Sequence, residues 1–293
     1  MAAGDLTWGR SFLCCRPTHF GVLYEINPWM HAEVTVDPER ALAQWEGLVA
    51  TLRAAGAEVT EIEPGPEVPD LVFTANAGLV SGPTFVPSHF RHPERQPETE
   101  CFATWFAARG ATVERLPDDL DHEGAGDALP FGADTSGATP ILLSGYRFRS
   151  DAAATTPLSA LTGAVVRPLE LVDERLYHLD LTFCPLDDRR ALCAPLGWDR
   201  YGTRVVESLV PEPLWLTDEE ALGFTANSVV VGTTVVMAQI PPRVGRQLEA
   251  WGFDPVAVDL GEFLKAGGAC RCLTLALDVD LRAPVSGLSA PTG

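Results

Sequence analysis

Positive charge is scarce in this sequence: 21 Lys and Arg stand against 40 Asp and Glu in 293 residues, a formal net charge of −19. Nucleic acid and anionic membrane both call for basic patches, so this balance argues against either as a partner. It is compatible with a cationic small molecule, and equally with acidic surface charge that only aids solubility. Long hydrophobic runs are missing too, and nothing approaches the roughly 18 apolar residues that span a bilayer. The opening MAAGDLTWGR has neither a basic n-region nor an apolar h-region, so no secretory signal is expected. The seven cysteines, an odd number scattered along the chain, read as reduced thiols and not as a disulfide framework. The expectation is a soluble, cytoplasmic protein whose 46% hydrophobic residues can bury one large core or two smaller ones.

What is present is repetition. FTAN occurs at 73–76 and again at 224–227, each time leading into small and apolar residues, a glycine turn and a second extended run. Comparable polar stations are HEGAGDAL at 122, YHLDLTFCPL at 177 and GGACRCLTLAL at 267, spaced as one supersecondary unit would be. Val- and Ile-rich runs follow the first four stations (LVSGPTFVPS, ILLSGYRF, ALCAPLGW and VVVGTTVVMA), each read as a pair of short strands with a Gly or Pro at the break, Gly145 in the second and Pro195 in the third. Helices lie between stations. In the first, Asp37 suits the N-cap, Pro38 the first helical position and Gly56 the residue past the end. Ala41, Leu42, Trp45, Leu48, Val49 and Leu52 recur at helical spacing and are expected to form its buried face. A helix end, glycine, strand and proline recur in AAGAEVTEIEP and AARGATVERLP, and more loosely in LTGAVVRPLEL and WGFDPVAVDL. Five β-β-α-β units closed into a ring predict a five-bladed α/β propeller, a single domain over 1–281 with a tail at 282–293. FTAN recurs because each unit delivers a polar strand end to a shared centre.

Pooled, the stations offer Asp70, Asn76, Glu123, Asp127, His178, Asp180, Asn227, Cys270 and Cys272. A thiol, an imidazole and several carboxylates at one centre suit nucleophilic catalysis by cysteine, with the histidine as acid and base and the carboxylates holding a cation. Taken alone, Cys272 is more often a small buried hydrophobe than a nucleophile, and Asn76 and Asn227 are equally at home satisfying turn backbone.

INPWM, DLVFTANAGLV, FRHPER, HEGAGDAL, YHLDLTFCPL and FLKAGGACRCLTL, in that order, resemble the guanidino-group-modifying superfamily. That superfamily comprises arginine deiminase, dimethylarginine dimethylaminohydrolase and the amidinotransferases. The similarity is strongest to its arginine dihydrolase and dimethylarginine-hydrolase-like branch, and it covers nearly the whole chain. It implies Cys272 as nucleophile, His178 as general acid and base and Glu123 as the carboxylate of the triad, with Asp127 supporting it and counted among the substrate-binding residues. Asp180, with Asp70 and Asn76, would bind the guanidinium. Asn27, Arg95 and Arg149 match residues that hold the α-amino and α-carboxylate groups, where a bidentate arginine–carboxylate pair is the expected geometry. Asn76 stands where deiminases carry an aspartate, and the dihydrolase branch also has asparagine there. Asn227 is read as structural, Cys270 as packing, and Cys14, Cys15, Cys101, Cys184 and Cys193 as core or strand residues.

The implied activity is hydrolysis of a linear amidine through an amidino-cysteine intermediate, with arginine going to ornithine, carbon dioxide and ammonia. That chemistry calls for no metal and no organic cofactor. The expected partner is a small cationic guanidino amino acid, arginine or a methylated arginine, and the resemblance leaves a homo-oligomer open. Alternatives are a dimethylarginine dimethylaminohydrolase or deiminase that stops at citrulline, an amidinotransferase, a redox pair of Cys270 with Cys272, and a non-catalytic propeller that binds a partner.

Overall fold

The computed structural model describes residues 4, 6–134, 137 and 139–282. Its fifteen strands are β1 Ser11–Cys15, β2 Glu58–Ile62, β3 Gly78–Ser81, β4 Thr84–Pro87, β5 Thr112–Val113, β6 Ala128–Ala133, β7 Pro140–Tyr146, β8 Val165–Glu170, β9 Phe183–Pro185, β10 Arg190–Cys193, β11 Glu212–Trp215, β12 Val229–Val231, β13 Thr234–Met237, β14 Asp254–Ala257 and β15 Leu275–Ala276. They form five three-stranded sheets, in the orders β15-β1-β2, β3-β4-β5, β6-β7-β8, β9-β10-β11 and β12-β13-β14. The first two strands of each pair antiparallel, and the third returns parallel to the second after a helix. This is the pseudo-fivefold α/β propeller. The strand that follows each polar station is always the edge strand of its sheet, so the stations face one another across the axis.

Ring closure uses both ends of the chain. After the fifth station only the short β15 remains, and it pairs with β1, Phe12 opposite Ala276 and Leu13 opposite Leu275. Phe12 and Leu13 are fully buried.

The returning helices are Pro38–Ala54, Glu98–Ala107, Thr155–Thr162, Arg200–Leu209 and Pro242–Ala250. In the first, the Asp37 side chain accepts from the Glu39 and Arg40 N–H groups, which satisfies two otherwise orphaned donors. Gly56 adopts φ +98° just past its end, as the αL exit requires. Ala41, Trp45, Leu48, Val49 and Leu52 are buried, but Leu42 is 38% exposed and Gln44 is buried instead. Gln44 lies on the opposite flank of the stripe from Leu42, and its amide oxygen accepts from the Glu262 N–H at 2.9 Å, so the buried face is rotated toward that side.

Two strand pairs lie earlier than expected. ILLSGYRF is one strand, β7, whose antiparallel partner β6 begins at Ala128, within the station itself. ALCAPLGW holds β10 and then a 3₁₀ turn at Pro195–Gly197, and its partner is β9. Gly145 and Pro195 had marked hairpin turns; Gly145 instead runs straight through β7, where an added Cβ would meet Asp127 Oδ1 at 2.9 Å. The hairpins β3-β4 and β12-β13 turn where expected, with Gly82 at φ +54° and Gly232 at φ +60°. Of the tail expected over 282–293, all but Arg282 lies outside the described residues. No helix among the described residues is long and apolar enough to cross a membrane.

Closure through β1 predicts a sharp contrast in denaturant unfolding. Phe12→Ala should cost about 3–5 kcal/mol, as a buried aromatic truncation does, whereas Leu42→Ala should cost no more than about 0.5 kcal/mol. Equal costs would contradict the assignment of the two faces.

Candidate functional site

Three stations end in tight helical turns that stop the chain just before an edge strand and leave polar side chains at the axis. Thr74–Ala77 and Leu179–Leu181 are single 3₁₀ turns, and Gly124–Asp127 is one helical turn. Glycine makes the approach feasible. A Cβ on Gly126 would lie 2.2 Å from Asn76 Nδ2, and one on Gly268 would lie 2.4 Å from the Phe73 ring. Phe224, at φ +60°, is a bulky residue held in the left-handed region, a strain of order 1–3 kcal/mol. It packs against Trp29 with ring centroids 5.0 Å apart and leads into the turn that presents Asn227.

At the centre, Glu123 is fully buried. Its Oε2 lies 2.8 Å from His178 Nε2 and accepts from Arg149 Nη1 at 3.0 Å. Burial alone would raise the Glu123 carboxyl, but Arg149 and His178 override it and hold the group well below the usual carboxylate range. Burial pulls His178 down to about 4 against the opposing pull of Glu123, so the imidazole is neutral near pH 7 and donates through Nε2. The Arg149 guanidinium also donates to the Ile26 carbonyl at 2.9 Å and lies over the Tyr177 ring.

Cys272 is 2% exposed. Asn227 Nδ2 donates to its Sγ at 3.1 Å, and the Asn227 amide oxygen accepts from the N–H groups of Arg271 and Cys272 at 3.1 and 3.3 Å. Asn227, assigned to structure on sequence grounds, therefore holds both the sulfur and its backbone. Its place in the second FTAN, equivalent to Asn76 in the first, was the available signal. The Cys272 thiol donates to Asp180 Oδ2 at 3.5 Å, and burial with the Asp180 charge pushes this thiol up. Cys270 is fully buried and unpaired with any other cysteine.

Asp127 sits beneath these groups. Its Oδ1 accepts from the Leu179 N–H at 3.0 Å and its Oδ2 from Ser150 Oγ at 2.6 Å. With both oxygens so engaged it fixes the backbone beside His178, and the substrate contact expected of it is not where the structure places it. Arg95 also differs from expectation. Its Nε and Nη2 form a bidentate pair with Glu98 at 2.8 and 2.7 Å, and its Nη1 donates to Asn76 Oδ1 at 2.9 Å. The fork meant for a substrate carboxylate is taken, by an i,i+3 partner plain in HPERQPE. Asn27 is likewise engaged, donating to the Ala266 carbonyl and accepting from the Trp29 N–H.

A small cavity of ≈ 10 Å³ is lined by Asn27, Asp70, Asn76, Arg95, Arg149, Tyr177 and Cys272, among others. Tyr177 was not anticipated; its hydroxyl donates to the Gly267 carbonyl at 2.9 Å. Tyr24, also unanticipated, donates to Asp70 Oδ2 at 2.9 Å. Around this centre, buried polar atoms lack a hydrogen-bond partner among the described residues: Asp70 Oδ1, Glu123 Oε1, Asp180 Oδ1 and His178 Nδ1. Buried polar groups are rarely left so. Three carboxylate oxygens and one imidazole nitrogen, all acceptors beside a thiol, suit a planar cation with many N–H donors. Among the described residues no group of His, Cys, Asp or Glu side chains has the arrangement of a metal site.

The chain is 42% identical over 274 residues to the bifunctional arginine dihydrolase/ornithine cyclodeaminase AgrE of Nostoc sp. (strain PCC 7120), covering 92% of this chain and 38% of AgrE. It thus spans well under half the length of that bifunctional relative. It is 37% identical over 269 residues to the N(G),N(G)-dimethylarginine dimethylaminohydrolase of Mycobacterium tuberculosis, covering 91% of this chain and 85% of that protein. The solved N-terminal domain of the cyanobacterial arginine dihydrolase ArgZ, bound to substrate, superposes with a TM-score of 0.87 at 40% identity over 92% of this chain and 99% of that one. No protein-family model matches the sequence.

Burial raises Asp180 to about 7, although Arg271 opposes it. An unfolded Asp ionises near pH 4. Below that pH the group is protonated in both states; between pH 4 and 7 only the unfolded chain ionises, so stability is lost as pH rises through that window. Asp180→Asn should therefore lose less thermal stability than the wild type between pH 4 and 7. A Tm difference that stays constant across the window would contradict this.

Proposed function

The chain belongs to the guanidino-group-modifying superfamily, and from that premise we propose that its five blades act as one catalytic domain that hydrolyses arginine to ornithine, carbon dioxide and ammonia. The observation that carries this reading is the set of unpartnered buried acceptors, Asp70 Oδ1, Glu123 Oε1, Asp180 Oδ1 and His178 Nδ1, beside the Cys272 thiol. A guanidinium supplies the donors and the positive charge they lack. Its charge also brings Asp180 into the ionised form and lowers the cost of a thiolate at Cys272. The relatives named as arginine dihydrolases support the substrate, and asparagine at position 76 supports the second hydrolysis.

In this mechanism the Cys272 thiol gives its proton to His178 as Sγ bonds to the guanidino carbon, and His178 passes that proton to a terminal nitrogen, which leaves as ammonia. Water, deprotonated by His178, then adds to the same carbon and the C–S bond breaks, which leaves citrulline. Glu123 keeps the imidazole oriented, and Arg149 holds Glu123 ionised. A second cycle attacks the neutral ureido carbon. Ammonia leaves again, water breaks the new C–S bond, and the carbamate falls apart to ornithine and carbon dioxide. Asn76 suits this second cycle because an aspartate at 76 would favour the cation over the neutral intermediate. Asn27, Arg95 and Arg149 line the cavity where the amino-acid end would lie, though Arg95 acts there through Asn76 and Asp70 more than through its own fork.

The 37% identity to a dimethylarginine dimethylaminohydrolase favours one alternative, release of a dimethylamine and a stop at citrulline. Incubation with arginine and, separately, with asymmetric dimethylarginine decides between them by chromatography. The reading expects ornithine with two ammonia per arginine; citrulline accumulating from either substrate would overturn it. Cys272→Ser should abolish turnover, and His178→Ala should lower it by about 10²–10⁴-fold, the usual worth of a general acid–base. Asn76→Asp should shift the product from ornithine toward citrulline, an effect visible in the product ratio at equal arginine consumption.

A further inference from the structure

Arg271 lies between Cys270 and Cys272, and the proposed reaction gives it no task. It is 5% exposed, yet no carboxylate among the described residues lies within ion-pair distance of its guanidinium, and its Nε has no hydrogen-bond partner. The nearby charges act from farther off. Asp180 is bound by the Cys272 thiol, and Asp278 is engaged by the N–H groups of Gly9 and Arg10 at 2.9 and 2.7 Å. A buried cation without a partner is costly, and such charges are normally paired. This one lines a second, small cavity of ≈ 10 Å³, room for one water-sized occupant, with Trp8, Leu129, Phe183, Cys184 and Ser228. None of these residues lines the Cys272 cavity. Leu129 lies in β6, Phe183 and Cys184 in β9 and Ser228 just before β12, while Trp8 precedes β1. The Trp8 ring lies 5.2 Å from the guanidinium carbon and shields one of its faces, and the Cys184 thiol donates to the Ser228 carbonyl at 3.4 Å.

We propose that this second cavity binds a small monovalent anion against the Arg271 guanidinium, and that its occupancy tunes the reactivity of Cys272. A single cation in a mostly apolar chamber neutralises one negative charge, which points to a halide-sized ion and away from phosphate. The coupling is electrostatic. The positive charge of Arg271 and a negative charge on Cys272 favour each other directly. An anion beside Arg271 cancels that field, so the Cys272 thiolate becomes scarcer and the thiol reacts more slowly.

The test combines crystals soaked in sodium bromide with iodoacetamide alkylation of Cys272, followed by peptide mapping in sodium bromide against sodium gluconate at constant ionic strength. Alkylation requires no assumption about the substrate, so failure here is distinct from failure of the dihydrolase reading. Anomalous scattering should place bromide at the Arg271 guanidinium. Saturating bromide should slow alkylation about threefold, corresponding to a shift of about half a pKa unit. Arg271→Gln should be slower from the start and indifferent to bromide, while Arg271→Lys, which keeps the charge, should keep a bromide response. If Arg271→Gln does not fold, the bromide position and the Arg271→Lys response decide. No bromide at Arg271, or the same salt response in wild type and Arg271→Gln, would overturn the proposal.

Discussion

The site rests on one buried carboxylate. Glu123 has no solvent around it, and an ionised carboxyl in such a place survives only if donors surround it. Arg149 and His178 are those donors, at 3.0 and 2.8 Å, and each comes from a different part of the ring. Arg149 follows β7 and His178 precedes β9, so the charge cluster forms only when the third and fourth blades are both in register. Asp127 secures the same junction from below, joining Ser150 to the Leu179 N–H. The catalytic geometry and the fold are therefore held by a shared set of contacts.

The thiol side is built differently. Asn227 holds Cys272 through neutral hydrogen bonds, and the charge near the sulfur comes from Asp180 and from Arg271 behind it. Burial penalises the charge on Asp180 and on the thiol alike and pushes both toward their protonated forms. The proposed substrate is the missing cation. On this account the protein does not hold a standing thiolate; the substrate charge switches on the nucleophile it meets, and water never faces a reactive sulfur.

Much of this was legible in the sequence because the fold is periodic. FTAN at 73 and 224, the glycine after each returning helix and the Val-rich hairpins all repeat, and repetition can be read without knowing distances. The misreadings came where tertiary contacts overrode local pattern. Leu42 has the right spacing for the core, but the buried face is rotated toward Gln44 on the opposite flank, which bonds Glu262 more than two hundred residues away. Gly145 resembled a turn and is instead a close-approach glycine inside β7. Arg95 was matched to a substrate carboxylate while its partner Glu98 stood three residues on, and no local rule says which of two acceptors an arginine will choose. Ring closure by β15 on β1 has no sequence signature at all, since β15 is only two residues long.

The claim on which the account turns is that Cys272, among seven cysteines, carries the substrate carbon between two hydrolyses. Mass spectrometry of the protein, acid-quenched within a turnover of mixing with arginine and then digested, tests it directly. The account predicts an adduct on the Cys272 peptide whose mass equals arginine less ammonia. An adduct on any other cysteine, or ornithine formed with Cys272 unmodified throughout, would contradict it.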